Sequence, residues 1–291
     1  MNTLDIQHHS ESGAGGAIQG RIWALVDGQQ IELDYQLSGR DLVFTHTGTA
    51  PALQGRGLAS QLVAHGLRWA AGLGLPLLPG CSYVEAYLQR HPQWQRLRLP
   101  AEAQAVLNYW FGTLGSAEDG QVRPLWFTKS AATDEEIRSR FGPLVEQALQ
   151  QGLSHWGDSA QARLARILLL DQFTRNIYRD SARAFAGDPL ALQLALGLMD
   201  LPQARELSTL QRWFMLMPLE HTEDLGLQNR CVQAFEALAA EDARLAGAAD
   251  YAHRHQQVIA QFGRFPHRNA LLGRASTEAE QQYLAQPGAG F

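Results

Sequence analysis

Only two cysteines occur in the 291 residues, Cys81 and Cys231, far apart and in unrelated contexts. That excludes a disulfide framework and makes a reducing cytoplasm the expected compartment. Charge of one sign is scarce as well. The 24 Lys and Arg stand against 29 Asp and Glu, a net charge of -5, so the basic field that wholesale nucleic-acid binding requires is missing. No apolar run approaches the length that spans a bilayer, and no membrane segment is expected. The opening stretch, MNTLDIQHHSESGAGGAIQG, has neither a basic start nor an apolar core, so it does not read as a signal peptide. Residues 1–17 read as a flexible tail. What is present is a globular composition, 45% hydrophobic and 18% charged, in a chain long enough for two domains with real cores.

Two grammars divide the chain. From Arg21 to Thr47 short alternating runs are broken by turn signals: RIWALV, Asp27-Gly28, IELDYQL, SGRD, LVFTHT. Asp-Gly between alternating runs marks a tight hairpin, because both central residues need positive φ. The reading is a three-strand antiparallel meander. A helix follows from about Leu58 to Ala71 with Leu58, Leu62 and Leu67 inward, then LPLLP as a short inner strand. SYVEAYLQRH forms a second helix that stops near His91-Pro92. Residues 18–98 thus make a small α/β domain. After a break at Pro100, near Arg98–Glu102, the period becomes helical and remains so over residues 102–291, giving an all-α array of about eight helices. Thr133 with Glu136 and Thr277 with Glu280 have capping-box spacing.

The stretch LQGRGLASQLV places Gly55 and Gly57 where a strand gives way to a helix. A helix N-terminus has unpaired N–H groups and partial positive charge, and so attracts anions. Glycines allow close approach of a phosphate, and Arg56 adds charge. The spacing Gln54-x-x-Gly57-x-Ala59, with His46-Thr47 before it and Pro79-Gly80-Cys81-Ser82-Tyr83 after it, resembles the small members of the GCN5-related N-acetyltransferase superfamily. The resemblance covers about Ile18 to Arg98. It implies acetyl-CoA as substrate, with Gln54, Gly55, Arg56, Gly57, Leu58 and Ala59 around the pyrophosphate and the pantetheine arm between two splayed strands. In that subgroup the cysteine matching Cys81 is the suspected reactive residue, either an acyl-accepting thiolate or a lining of the thioester pocket. His46 is a candidate base or a structural hydrogen bonder, and Tyr83 a candidate proton donor to the leaving thiol. One departure stands out. The subgroup typically carries an acid and a valine after His-Thr, where this chain has Gly48 and Thr49. Any role of that acid is either absent or supplied from elsewhere in the chain.

The helical two thirds, over about Ala103 to Phe291, resembles DUF924, a bacterial family of unknown function that is helical and related in architecture to tetratricopeptide-like arrays. The segments that carry the resemblance include VLNYWFG, LLLDQFTRNIYRDSARAFAGDPLAL, RWFMLMPLEHTED and FGRFPHRNALLGRASTEAE. Polar clusters interrupt its apolar helices: Asp171, Arg175 and Asn176; Glu220, His221 and Glu223; then His255, Arg264, His267 and Arg268. Three readings stand side by side: a metal site, an anion or peptide-carboxylate pocket, and an internal network tying helices together. Zinc-ligand spacing such as His-Glu-x-x-His is missing, so no metal is expected.

The function that follows is an N-acetyltransferase acting on a small-molecule or protein amine, fused to a helical domain that binds substrate or partner. The alternatives are a CoA-thioester sensor without turnover, favoured by Gly48, and a separate metal-dependent or hydrolytic activity in the helical part.

Overall fold

The computed structural model describes residues 4–12, 18–37, 42–73, 75–113 and 116–290. The chain divides into two compact units, Met1–Gln121 and Val122–Phe291. The expected SGRD turn, residues 38–41, lies outside the described residues.

In the first unit the sheet has five strands in the order β1-β2-β3-β4-β5: Ile6–Ser12, Ile18–Val26, Gln29–Leu37, Leu42–Thr49 and Leu77–Pro79. The first four are antiparallel and β5 runs parallel to β4. Two sequence expectations are corrected here. Residues 6–12 are not tail but β1, paired with β2 from Ile6 opposite Ala24 to Ser12 opposite Ile18. Most of its side chains are exposed, so backbone hydrogen bonds rather than apolar burial hold it. His8 ties it to the sheet, its Nε2 lying 2.6 Å from the Tyr35 hydroxyl and its ring edge-on to Trp69. β5, expected as an inner strand, is the edge of the sheet.

Alternation decides which face is buried. Ile22 and Ala24 of β2, Ile31 and Leu33 of β3, and Leu42 and Phe44 of β4 are fully buried. Helix α1 (Leu58–Leu73) packs on that face through Leu62, Val63 and Leu67. Close approach requires Gly66, where a Cβ would stand 2.5 Å from Leu33 Cδ2. Helix α2 (Ser82–Arg90) adds Val84 and Leu88 to the same core and ends at His91, as the Pro92 that follows dictates. Asp27 and Gly28 form the two-residue β2–β3 turn with φ of 51° and 75°. Pro100 precedes helix α3 (Ala101–Phe111) as its N-cap. Arg96, buried, donates to the Gly112 carbonyl at 3.2 Å and faces Asp119, which ties the stretch after α3 into this unit.

The second unit is helical throughout its described residues. Its helices are α4 (Ala131–Leu149), α5 (Ala160–Ile167), α6 (Thr174–Ile177), α7 (Asp188–Met199), α8 (Thr209–Glu220), α9 (Leu225–Glu241), α10 (Ala246–Phe262) and α11 (Glu278–Leu284). From α7 to α10 each helix packs on the next, and α5 packs on α7. Between α5 and α6 residues Leu168–Phe173 form a π-helix, so α5 and α6 are one rod with a local widening. The capping box of Thr277 and Glu280 is present. That of Thr133 and Glu136 is not: Ser130 is the N-cap of α4 and accepts from the Thr133 N–H. A serine three residues before the expected cap offers the same hydroxyl one turn earlier.

Candidate functional sites

The first candidate site lies where β4 and β5 part. They pair only over Leu42–Leu77, Val43–Leu78 and Phe44–Pro79, after which β5 ends and β4 continues to Thr49. At the same point β4 carries a bulge: Phe44 pairs with Tyr35 and His46 with Asp34, leaving Thr45 extra. Gly80 lets the chain leave β5 against β4, since a Cβ there would meet Val43 Cγ1 at 3.0 Å and the Phe44 carbonyl oxygen at 3.1 Å. Cys81 follows as the N-cap residue of α2, half-buried, its Sγ 3.4 Å from the Thr47 hydroxyl. Burial raises the pKa of this thiol, but the Thr47 hydroxyl and the N–H groups of Val84, Tyr83 and Thr47 outweigh it and hold the thiol below its ordinary value.

The two sides of β4 differ in chemistry. Thr47 pairs with buried Leu33 and so shares the helix-covered face with Cys81, while Tyr83 packs against the same core. His46 is exposed and pairs with Asp34, which places it on the opposite face. Gly48 pairs with Glu32 on that face, and a Cβ on Gly48 would stand 2.8 Å from Glu32 Oε1. A carboxylate thus lies beside Gly48, carried by the neighbouring strand and held by Arg21 at 2.6 Å. Sequence reading missed Glu32, because cross-strand register is not written in local spacing.

Beyond β4 a 3-10 turn, Pro51–Leu53, leads into the glycine loop. Gly55 and Gly57 have φ of 76° and 73°, a conformation L side chains rarely adopt. Gln54, Gly55, Arg56 and Gly57 are all exposed, and α1 starts at Leu58 with Ala59 in its first turn. Arg56 reaches the β2–β3 turn, Nη1 2.6 Å from Asp27 Oδ2. An exposed pair of this kind contributes at most about 1 kcal/mol, so an incoming anion can replace Asp27.

The second candidate site is a polar cluster within the helical unit. Asp171, fully buried in the π-helix, accepts from His221 Nδ1 at 2.7 Å and from Gln172. Burial alone would raise its pKa, but His221 and Arg175 hold it well below the carboxylate range. Burial and the nearby Arg175 lower the pKa of His221 against the opposing pull of Asp171, and an ionised Asp171 can only accept, so the His221 Nδ1 donates. Arg175 makes two hydrogen bonds to Asp188, at 2.9 and 3.1 Å, and Arg268 reaches the same carboxylate at 3.3 Å. Gly187 allows this convergence, because a Cβ there would stand 2.1 Å from the Leu170 carbonyl oxygen. Glu220 pairs with His255 at 2.9 Å, and the His255 ring centroid is 6.3 Å from that of His221. His267 follows Pro266 beside Phe265, and burial with Arg268 and His255 nearby lowers its pKa to about 4.

Of the sequence-derived residues, Asp171, Arg175, His221 and Arg268 thus converge. Asn176 belongs elsewhere, with Arg179 on Asp134. Arg264 pairs with Glu280, and Glu223 pairs with Arg274 while accepting the Phe265 N–H. Asp188 was overlooked, since an acid followed by Pro189 reads simply as a helix start. Among the described residues no group of three or more His, Cys, Asp and Glu side chains could hold a metal ion. No helix among them is long and apolar enough to cross a membrane.

Residues 106–288 match the family model described as bacterial protein of unknown function (DUF924). The chain belongs to the DUF924 family. Residues 21–97 match the model described as GCN5-related N-acetyl-transferase. Among solved structures, a protein of unknown function from Agrobacterium tumefaciens is similar at 32% identity and a TM-score of 0.55. The match covers 64% of this chain and 97% of that one. No curated protein matches. The DUF924 match contains every residue of the polar cluster, and the acetyltransferase match contains the splayed strands, the glycine loop and Cys81.

Proposed function

We propose that the first unit binds acetyl-CoA and transfers its acetyl group to an amine. The observation that carries this reading is the conjunction of the exposed glycine loop before α1 with the parting of β4 from β5. In this reading the N–H groups at the start of α1, together with Arg56, receive the pyrophosphate, and the pantetheine arm enters the gap between the strands. The acceptor amine arrives from the face that carries His46 and Glu32. Its nitrogen bonds to the thioester carbonyl carbon, the carbon–sulfur bond breaks, and the ammonium proton passes to His46. The leaving thiolate takes a proton from Tyr83 or water on the other side. Catalysis of this kind is chiefly positioning plus proton transfer. Cys81 stands on the helix-covered side, where a lowered thiol pKa suits either acyl acceptance or a lining role.

A non-catalytic thioester sensor remains the second reading, favoured by Gly48 in place of an acid. Glu32 over Gly48 weighs against it. The test is titration of the full chain with CoA, followed by release of CoA thiol from acetyl-CoA with a panel of amines, for wild type and Cys81→Ala. Binding with amine-dependent release supports transfer. Binding without release towards every amine leaves the sensor, and no CoA binding overturns both. The helical unit is then the part that selects the acceptor or its carrier, in the same cytoplasmic compartment.

A further inference from the structure

Arg268 is only 7% exposed, and its guanidinium lies over two aromatic rings. Its central carbon is 4.7 Å from the Phe185 centroid and 4.5 Å from that of Phe265. The two rings confine the group and supply cation–π attraction. Yet its polar atoms are poorly served. Nη1 makes one long hydrogen bond, 3.3 Å to Asp188, whose two oxygens already accept shorter bonds from Arg175. Nε has no partner at all. The edge formed by Nε and Nη2 is the one that grips two oxygens of a planar anion side-on. A buried guanidinium with that edge unfilled is a costly arrangement that a ligand would relieve.

Two further departures from regular structure converge on the same place. The π-helix that carries Asp171 is uncommon and is a frequent mark of functional positions. Gly187 is obligatory for packing, against the Leu170 carbonyl of that π-helix, and so brings Asp188 under both arginines.

We propose that Arg268 anchors a binding site for a carboxylate, its Nε–H and Nη2–H donating to the two oxygens. Charge balance selects the class. Arg175 and Arg268 are matched by Asp171 and Asp188, and Glu223 by Arg274. A planar carboxylate group, which brings one charge and two oxygens to the site, fits the single open guanidinium edge. A phosphate dianion would face Asp188 and Asp171 without a spare cation. The carboxylate is either that of a small free acid or the C-terminus of a peptide.

The test uses the full chain and calorimetric titration with succinate, triglycine, triglycinamide and inorganic phosphate. Succinate or triglycine is expected to bind saturably while triglycinamide and phosphate do not. Succinate alone identifies a small acid, and triglycine alone a peptide terminus. Arg268→Lys keeps the charge but loses the side-on edge, and should weaken binding at least about tenfold. Asp188→Asn removes the competing carboxylate and should tighten it. In wild type, the Arg268 Nε–H resonance should shift with the same saturation curve, a readout independent of whether the variants fold. The proposal is overturned if neither carboxylate binds, if phosphate or the amide binds equally well, or if binding leaves the Arg268 Nε–H resonance unmoved.

Discussion

The Cys81 sulfur stands 3.4 Å from the Thr47 hydroxyl, joining the end of β4 to the N-cap of α2 across the point where the sheet opens. Cys231, by contrast, is fully buried in α9, and burial there pushes its thiol far up. Iodoacetamide should therefore modify one thiol in the native chain, Cys81, and two after denaturation. Thr47→Val removes one of the bonds that lower the Cys81 pKa. At neutral pH its alkylation should slow roughly fivefold, the equivalent of about 1 kcal/mol. Mass spectrometry of tryptic peptides gives both answers, and equal labelling of the two cysteines in native protein would contradict the burial difference.

Gly57 occupies φ of 73° with nothing within 4 Å of where a Cβ would be. In Gly57→Ala the penalty is backbone conformation alone, roughly 1–2 kcal/mol. If the loop must hold this shape to receive pyrophosphate, CoA affinity should drop about five- to thirtyfold. Gly28→Ala, in the β2–β3 turn with equally open surroundings, should cost comparable stability and leave affinity nearly unchanged. Calorimetry on both variants separates the loop's role in binding from its role in folding.

His46 and Glu32 share the face on which the amine is proposed to arrive. His46→Ala should lower acetyl transfer about a hundredfold, in line with loss of a general base, while CoA binding is retained. Glu32→Gln should chiefly raise the KM for the amine, because it lies opposite Gly48 rather than beside the gap. Steady-state kinetics with a responsive amine would show this split. Loss of CoA affinity in either variant would argue for damage to the fold.

Gly187→Ala places a methyl group 2.1 Å from a carbonyl oxygen of the π-helix, where only backbone could yield. A loss of about 3 kcal/mol is expected, at the upper end for overpacking. Gly142→Ala in α4 meets nothing within 4 Å and should stabilise by up to about 1 kcal/mol. Thermal midpoints of the two variants should move in opposite directions.

Two partly buried histidines give the helical unit its acid sensitivity. His267 falls from 6.5 to about 4 through burial and its nearness to Arg268 and His255, and Glu223 opposes. His221 is likewise lowered. Between these values the unfolded chain holds protons that the folded chain does not, so stability falls as pH drops from about 6.5 towards 4. Below that, the depressed carboxylates Asp171 and Glu223 add to the loss as they are protonated. His267→Gln removes one titrating group and should flatten the slope of urea midpoint against pH in that window. An unchanged slope would mean that His267 is protonated in the native state.

Much of this architecture can be read from residues alone, where the physics is local. Asp27-Gly28 demanded its turn and has it, the inward Leu58, Leu62 and Leu67 lie buried in α1, and Thr277 with Glu280 closes its capping box. β1 escaped because an edge strand with exposed side chains leaves little apolar pattern. The π-helix escaped because LLLDQF continues the helical period of α5 without interruption. In the sites, Cys81 and Thr47 were legible as neighbours of the glycine loop, whereas Glu32 and Asp188 arrive by strand register and helix packing. Those are long-range facts, and no window of ten residues contains them.

The extra residue in β4 has an effect larger than its size. Up to Phe44 the even-numbered residues of that strand face the helices; after Thr45 the odd-numbered ones do. Were Thr45 instead paired in regular alternation, the same residues would turn the imidazole of His46 inward, onto the seat that Thr47 holds beside Cys81. Which functional group faces thiol and which faces solvent is thus set by one irregularity in the strand, and deletion of Thr45, which removes the bulge and the extra residue together, would leave both facings as they are.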